Sequence, residues 1–167
     1  MFSRRKLLLA TGAAAAVAGC GGGPRFKTYN GPEVTRIQVQ KADRKMYLLH
    51  QSEVLRGYDV ELGFAPVGDK KVEGDGKTPE GRYLIDRRNP RSSFHLSLGI
   101  SYPNEDDIAE AAALGQSPGG DIFIHGRSNR RGPRGPDWTA GCISVDNKEI
   151  EDIYAMVQLG TVIDILA

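Results

Sequence analysis

The chain has 167 residues with 22 Lys and Arg against 21 Asp and Glu, a formal charge of +1. That balance excludes an electrostatic nucleic-acid binder, and the length allows one domain with a proper core but not two. Twenty-one glycines, nine prolines and few long helical periods favour a strand-rich fold with functional loops.

Residues 1–19 read as an export signal, with Arg4, Arg5 and Lys6 ahead of a weakly apolar run too short to span a membrane. Ser3 to Leu8 resembles a twin-arginine signal, and Val17-Ala18-Gly19-Cys20 resembles a lipobox, in which Cys20 is lipidated and becomes the new N-terminus. An unmodified Cys20 or an uncleaved anchor are the other readings. Cleavage removes three basic side chains and no acidic ones, so the mature charge is −2. The expected place is the bacterial cell envelope, on the periplasmic side and held by a lipid anchor. Gly21 after the lipidated residue favours the outer membrane where the cell has one. Residues 20–33, opening Gly21-Gly22-Gly23-Pro24, read as a flexible lipidated tether, and 34–167 as the folded domain.

In that domain, Val34–Gln40, Met46–His50 and Val54–Leu62 read as a strand meander. The glycine-rich stretch 63–81 is a long excursion, and loops of that length are usually functional or disordered. Tyr83–Ile85 and Phe94–Leu98 read as strands, and Asn104–Leu114 as a helix capped by Asn104. Asp121–Ile124 is a short buried strand that delivers His125, and Ile143–Val145 follows Cys142. Asp146 caps the last helix with Glu149 three residues on; Ile150, Ile153, Tyr154 and Val157 form its apolar face, and Gly160 closes it. Thr161–Leu166 ends the domain.

Two motifs are decoys. Gly74-Asp75-Gly76-Lys77-Thr78 contains a Gly-Lys-Thr step, but a phosphate loop needs glycine where Lys71 stands, and Pro79 occupies the place of the following helix. His50, His95 and His125 have no short-spaced ligand partner, so no metal site is expected. His95, in a strand-like run, reads as structural.

With Cys20 spent on lipidation, Cys142 is the single thiol of the mature chain, and it cannot form an internal disulfide. His125 lies seventeen residues before it. Strand ends side by side would let the histidine take the thiol proton as a thiolate–imidazolium pair, with backbone amides near Gly141 and Cys142 receiving an acyl oxyanion. The residue types leave a second reading open, a buried core thiol and a satisfied loop histidine.

Ile124-His125-Gly126, followed after a loop by Thr139-Ala140-Gly141-Cys142-Ile143-Ser144, resembles the catalytic motif of L,D-transpeptidases with a YkuD-type domain. Gly74-Asp75-Gly76-Lys77-Thr78-Pro79-Glu80-Gly81 is similar to a second loop of that family, and Ser97–Asn104 to its mid-domain segment. The Asp137-Trp138-Thr139 approach to Gly141-Cys142 most resembles the YafK-like branch. The resemblance implies a mainly β, β-sandwich-like catalytic domain with two or three short helices and no cofactor.

It also implies attack by Cys142 on a meso-diaminopimelate carbonyl in a peptidoglycan tetrapeptide stem, loss of D-alanine, and transfer to an amine. That amine belongs to a second stem or to the lysine of a wall-tethered lipoprotein. His125 is then the base and Gly141 part of the oxyanion site. Thr139, which shapes the loop, joins Gly126, Ser144, Arg127 and Trp138 as candidate substrate contacts. Trp138 either packs the neighbouring loop or stacks under substrate. Two departures stand out: Ala140 where many members have His, and Ser144 where many have Arg. Arg127, Arg130, Arg131 and Arg134 could supply the missing charge as a carboxylate-binding lid, or form a solvated basic loop. Alternatives are a hydrolase of the same fold, a carboxypeptidase or an amidase releasing a wall-bound lipoprotein, and a non-catalytic peptidoglycan-binding lipoprotein.

Overall fold

The computed structural model describes residues 26–128 and 135–167. The export signal, Cys20 and the arginines at 130, 131 and 134 lie outside the described residues. Eight strands form one curled sheet: β1 (Arg36–Gln40), β2 (Lys45–His50), β3 (Glu53–Asp59), β4 (Gly81–Asn89), β5 (Ser97–Ile100), β6 (Phe123–His125), β7 (Ile143–Ser144) and β8 (Val162–Leu166). Their spatial order is β3-β2-β1-β8-β4-β5-β6-β7. The helices are α1 (Glu105–Ala113) and α2 (Asn147–Met156).

Alternation of apolar residues explains the first half of the sheet. Ile37 and Val39 of β1 sit opposite Leu48 and Met46 of β2 on one side, and opposite Ile163 and Ile165 of β8 on the other. All six are essentially inaccessible to solvent. A one-residue slip would turn this stripe outward, so the register is strongly set. β4 joins the two halves. Gly81–Leu84 pair with β8, and after a register shift between Ile85 and Arg87 the strand continues along β5. That bend folds β5, β6 and β7 over the core, giving the sandwich-like form expected from the sequence.

Several boundaries differ from the expectation. The third strand stops at Asp59, because the chain then leaves β2 and Glu61 exchanges backbone hydrogen bonds with Ser144 of β7. Val60 and Leu62 stay buried beyond it. The strand expected from Phe94 begins only at Ser97, since His95 has a φ of 76° that no strand accommodates. Asn104 does cap α1, its side chain accepting the Asp107 amide at 3.0 Å while Asp107 accepts the Asn104 amide at 2.8 Å.

At α2, Glu149 accepts the Asp146 amide at 2.9 Å. The helix ends at Met156, ahead of the expected glycine stop. Arg88 takes the Tyr154 carbonyl at 2.5 Å and the Val157 carbonyl, leaving Val157 extended and buried. Gly160, at φ 84°, instead makes the turn into β8. The tether's described part is docked: Phe26 lies against Tyr154, and Lys27 pairs with Asp152 at 2.9 Å.

Candidate active site

The long 63–81 excursion is an ordered loop built on one carboxylate. Asp75 accepts the backbone amides of Lys71, Val72 and Lys77 at 2.8, 3.1 and 3.0 Å, and the Lys70 ammonium at 3.0 Å. Burial pushes this carboxyl up, but the amide and ammonium donors prevail and hold it below the usual carboxylate range. A second hub is Lys41, 2% exposed, whose ammonium binds the Gly68 and Thr78 carbonyls and Glu80. The loop then presses on the cysteine turn. A Cβ at Gly141, where φ is 131°, would meet the Lys77 carbonyl oxygen at 2.7 Å, so only glycine fits there.

β6 and β7 run parallel, with Ile124 opposite Ile143 and His125 opposite Ser144. Cys142 immediately precedes β7, facing the start of β6. Its thiol donates to the Asp121 carbonyl at 3.6 Å and receives the Phe123 amide. Asp121 itself holds a left-handed φ of 56°. The thiol opens onto a cavity of about 370 Å³ lined by Lys70, Glu73, Gly74, Gly119, Gly120, Asp121, Ile122 and Ala140.

His125 is buried two residues further along β6. Its Nδ1 donates to the Gly126 carbonyl at 2.6 Å, which fixes the tautomer and leaves Nε2 as the acceptor. Phe94 stacks on the ring at 4.5 Å between centroids, and Trp138 meets it edge-on at 5.7 Å. The sequence signalled neither contact. Phe94 is available because the strand has not yet begun at that residue.

The two expected partners therefore sit on neighbouring strands, but thiol and imidazole each hydrogen-bond to backbone and not to each other. Burial pushes the His125 imidazole below its ordinary value, against the Gly126 hydrogen bond that raises it. Burial pushes the Cys142 thiol up; the Phe123 amide opposes this, Asp121 adds to it, and Lys70 opposes it. Both shifts favour a neutral thiol beside a neutral imidazole over the expected ion pair.

The other candidates act mainly on the architecture. Thr139 is buried; its hydroxyl donates to the Cys142 carbonyl at 2.7 Å and accepts the Gly141 amide at 3.1 Å. These bonds tie the cysteine turn together, and the Gly141 amide is spent on Thr139 instead of standing ready for an oxyanion. Gly126 packs under α2, where a Cβ would meet Asn147 Oδ1 at 2.6 Å. Trp138 donates its indole N–H to Glu61 at 2.5 Å. Arg127 pairs with the same Glu61 at 2.9 Å and with Asp146 at 3.1 Å, so its charge is committed within the protein and not held out as a lid. Ser144 is 1% exposed, and its hydroxyl has no hydrogen-bond partner among the described residues. His95 binds Glu151 at 2.8 Å, a structural role. Among the described residues no group of three or more His, Cys, Asp or Glu could hold a metal ion.

A curled, strand-rich domain that presents one cysteine at a strand start, beside a tautomer-fixed histidine, defines the class. Residues 34–165 match the YkuD L,D-transpeptidase catalytic domain, and the chain belongs to that family. It is 28% identical over 127 residues to YafK of Escherichia coli K12, itself a provisional L,D-transpeptidase, covering 72% of this chain and 46% of YafK. Among solved structures, the helical cell shape determining protein Pgp2 of Campylobacter jejuni superposes with a TM-score of 0.62 at 28% identity, over 82% of this chain and 49% of that one. An L,D-transpeptidase from Mycobacterium smegmatis shares the fold, with a TM-score of 0.54 at 15% identity over 80% of this chain and 59% of its own. The chain spans about half the length of YafK and Pgp2.

Proposed function

We propose that this chain is a cysteine acyltransferase that carries out L,D-transpeptidation on peptidoglycan tetrapeptide stems. The observation that carries the reading is the juxtaposition of Cys142 and His125 on adjoining parallel strands within a domain of that family. With burial favouring the neutral form of both groups, the proton leaves Cys142 Sγ for His125 Nε2 as the sulfur attacks the meso-diaminopimelate carbonyl carbon. The tetrahedral intermediate collapses by breaking the bond to the terminal residue. The departing D-alanine amine takes its proton from the imidazolium, and a thioester to Cys142 remains. An incoming amine gives its proton to His125 and attacks the thioester; the sulfur then leaves and recovers a proton. The Gly126 carbonyl keeps Nδ1 protonated throughout, so Nε2 is always the working nitrogen.

Lipidation at Cys20 belongs to the same proposal. It would hold the domain at the envelope surface, where stem peptides and wall-tethered lipoproteins are both within reach of a docked domain.

Mass spectrometry of the protein with a tetrapeptide-stem muropeptide tests the reading, with Cys142→Ala alongside. Cross-linked dimer and free D-alanine, both absent with the variant, are expected. D-alanine without dimer would make water the acceptor and the protein a hydrolase. Inertness towards this muropeptide and a lipoprotein-linked one would leave a binding protein.

A further inference from the structure

The cavity that opens on the Cys142 thiol is also lined by a cation that the acyl-transfer steps leave unused. Lys70 is only 3% exposed. Its ammonium donates to the Val72 carbonyl at 2.9 Å and to Asp75 at 3.0 Å, and lies 6.0 Å from the centroid of the Tyr102 ring. An ammonium has three N–H groups, and only two are hydrogen-bonded among the described residues. Asp75 is itself fixed by three backbone amides, so the ammonium is held in place while water is kept from it. A charge in such a site acts over a longer range than one in solvent.

We propose that Lys70 is a positioning residue for the nucleophile: its anchored ammonium stabilises the negative charge that develops on the Cys142 sulfur as the proton leaves. The inference rests on the acyl-transfer reading above, and it supplies a charge that the chemistry otherwise lacks. Burial disfavours a charge on His125, Arg127 is committed to Glu61 and Asp146, and Ala140 and Ser144 carry no charge. The Asp121 carboxylate on the same cavity opposes thiolate formation, and among the described residues lining it Lys70 is the one cation set against it. The long loop thereby does more than shape the cavity: Asp75 organises its backbone and aims one of its lysines.

The test is the pH profile of Cys142 alkylation by iodoacetamide. This needs no peptidoglycan substrate, so failure of the transpeptidase assay leaves it intact. Lys70→Met should move the thiol midpoint upward and slow alkylation at pH 8 by about five- to tenfold, with Lys70→Arg within about twofold of wild type. An unchanged profile in a Lys70→Met protein that still melts cooperatively would overturn the proposal. If Lys70→Met does not fold, the polar Lys70→Gln gives the same reading, and a wild-type profile again counts against it. The unaltered protein offers an independent check by NMR. The Lys70 Cε resonance should shift as the thiol ionises and stay flat over that range in Cys142→Ala; no thiol-linked step would sink the idea.

Discussion

The β1–β2–β8 half and the β5–β6–β7 half of this sheet are held together in different ways. In the first, a stripe of Ile37, Val39, Met46, Leu48, Ile163 and Ile165 removes apolar surface from water, each side chain contributing roughly 2 kcal/mol. In the second, Leu98, Ile100, Ile124 and Ile143 are buried as fully, and polar hubs are added to them: Asp75 with four donors in the loop that presses on the cysteine turn, and Thr139 closing that turn. A hydrophobic face tolerates small shifts of its members, whereas a hydrogen-bonded hub fixes atoms to within fractions of an ångström. The chemistry sits on the half that is built for placement.

The sharpest break between the halves is functional. Cys142→Ala should lower D-alanine release by about 10³-fold or more, with a melting temperature close to wild type. Asp75→Ala should do what no apolar change in the other half does. It leaves the buried Lys70 ammonium unpaired, and should cost about 3–5 kcal/mol in urea unfolding while also lowering kcat/KM. In the apolar half, Ile37→Ala should cost about 2–5 kcal/mol by the same measurement, with kcat unchanged at a temperature where the variant is folded. If Ile37→Ala lowered kcat as far as Asp75→Ala, the division of labour would be refuted.

A smaller effect concerns pH. Burial holds His125 below its ordinary value of 6.5, so the unfolded chain takes up that proton first as the solution is acidified. Its contribution is therefore present above about pH 6.5 and lost as pH falls through the lower folded value. Urea unfolding midpoints below pH 6.5 should depend less on pH in His125→Asn than in wild type, and a steeper dependence would contradict the assigned burial effect. Smallest of all, Arg127→Gln should change kcat/KM by no more than about threefold, since it removes two partly exposed ion pairs. A tenfold rise in KM would restore the carboxylate-binding role that the ion pairs argue against.

The same contrast governs what could be read from the chain. Alternation over Val34–Gln40 and the short run Met46–His50 marked the first two strands to within two residues, and the Asp146–Glu149 spacing marked the start of α2. These are local patterns, and local physics settles them. The end of α2 was missed because Arg88, far away in sequence, takes its last carbonyls. The cysteine and histidine were legible as a motif, but their environment was not. Phe94 stacks on His125 only because His95 breaks the strand, and Lys70 reaches the thiol cavity only because Asp75 folds the loop back on itself. Gly63 and Gly76 fell in a stretch legible only as a long excursion; in the structure the Gly76 carbonyl packs directly on Gly63, and the Lys77 carbonyl on Gly141.

The exchange of backbone hydrogen bonds between Glu61 and Ser144 has a consequence for encounters between copies of the chain. β7 is a two-residue strand at the end of the sheet order, the position at which an unpaired backbone recruits strands from other molecules. The segment following β3 occupies that open side, so the strand next to the nucleophile offers no template for a neighbour. Copies that meet at this end of the sheet are thereby kept from pairing edge to edge, without charge or proline being spent on the task.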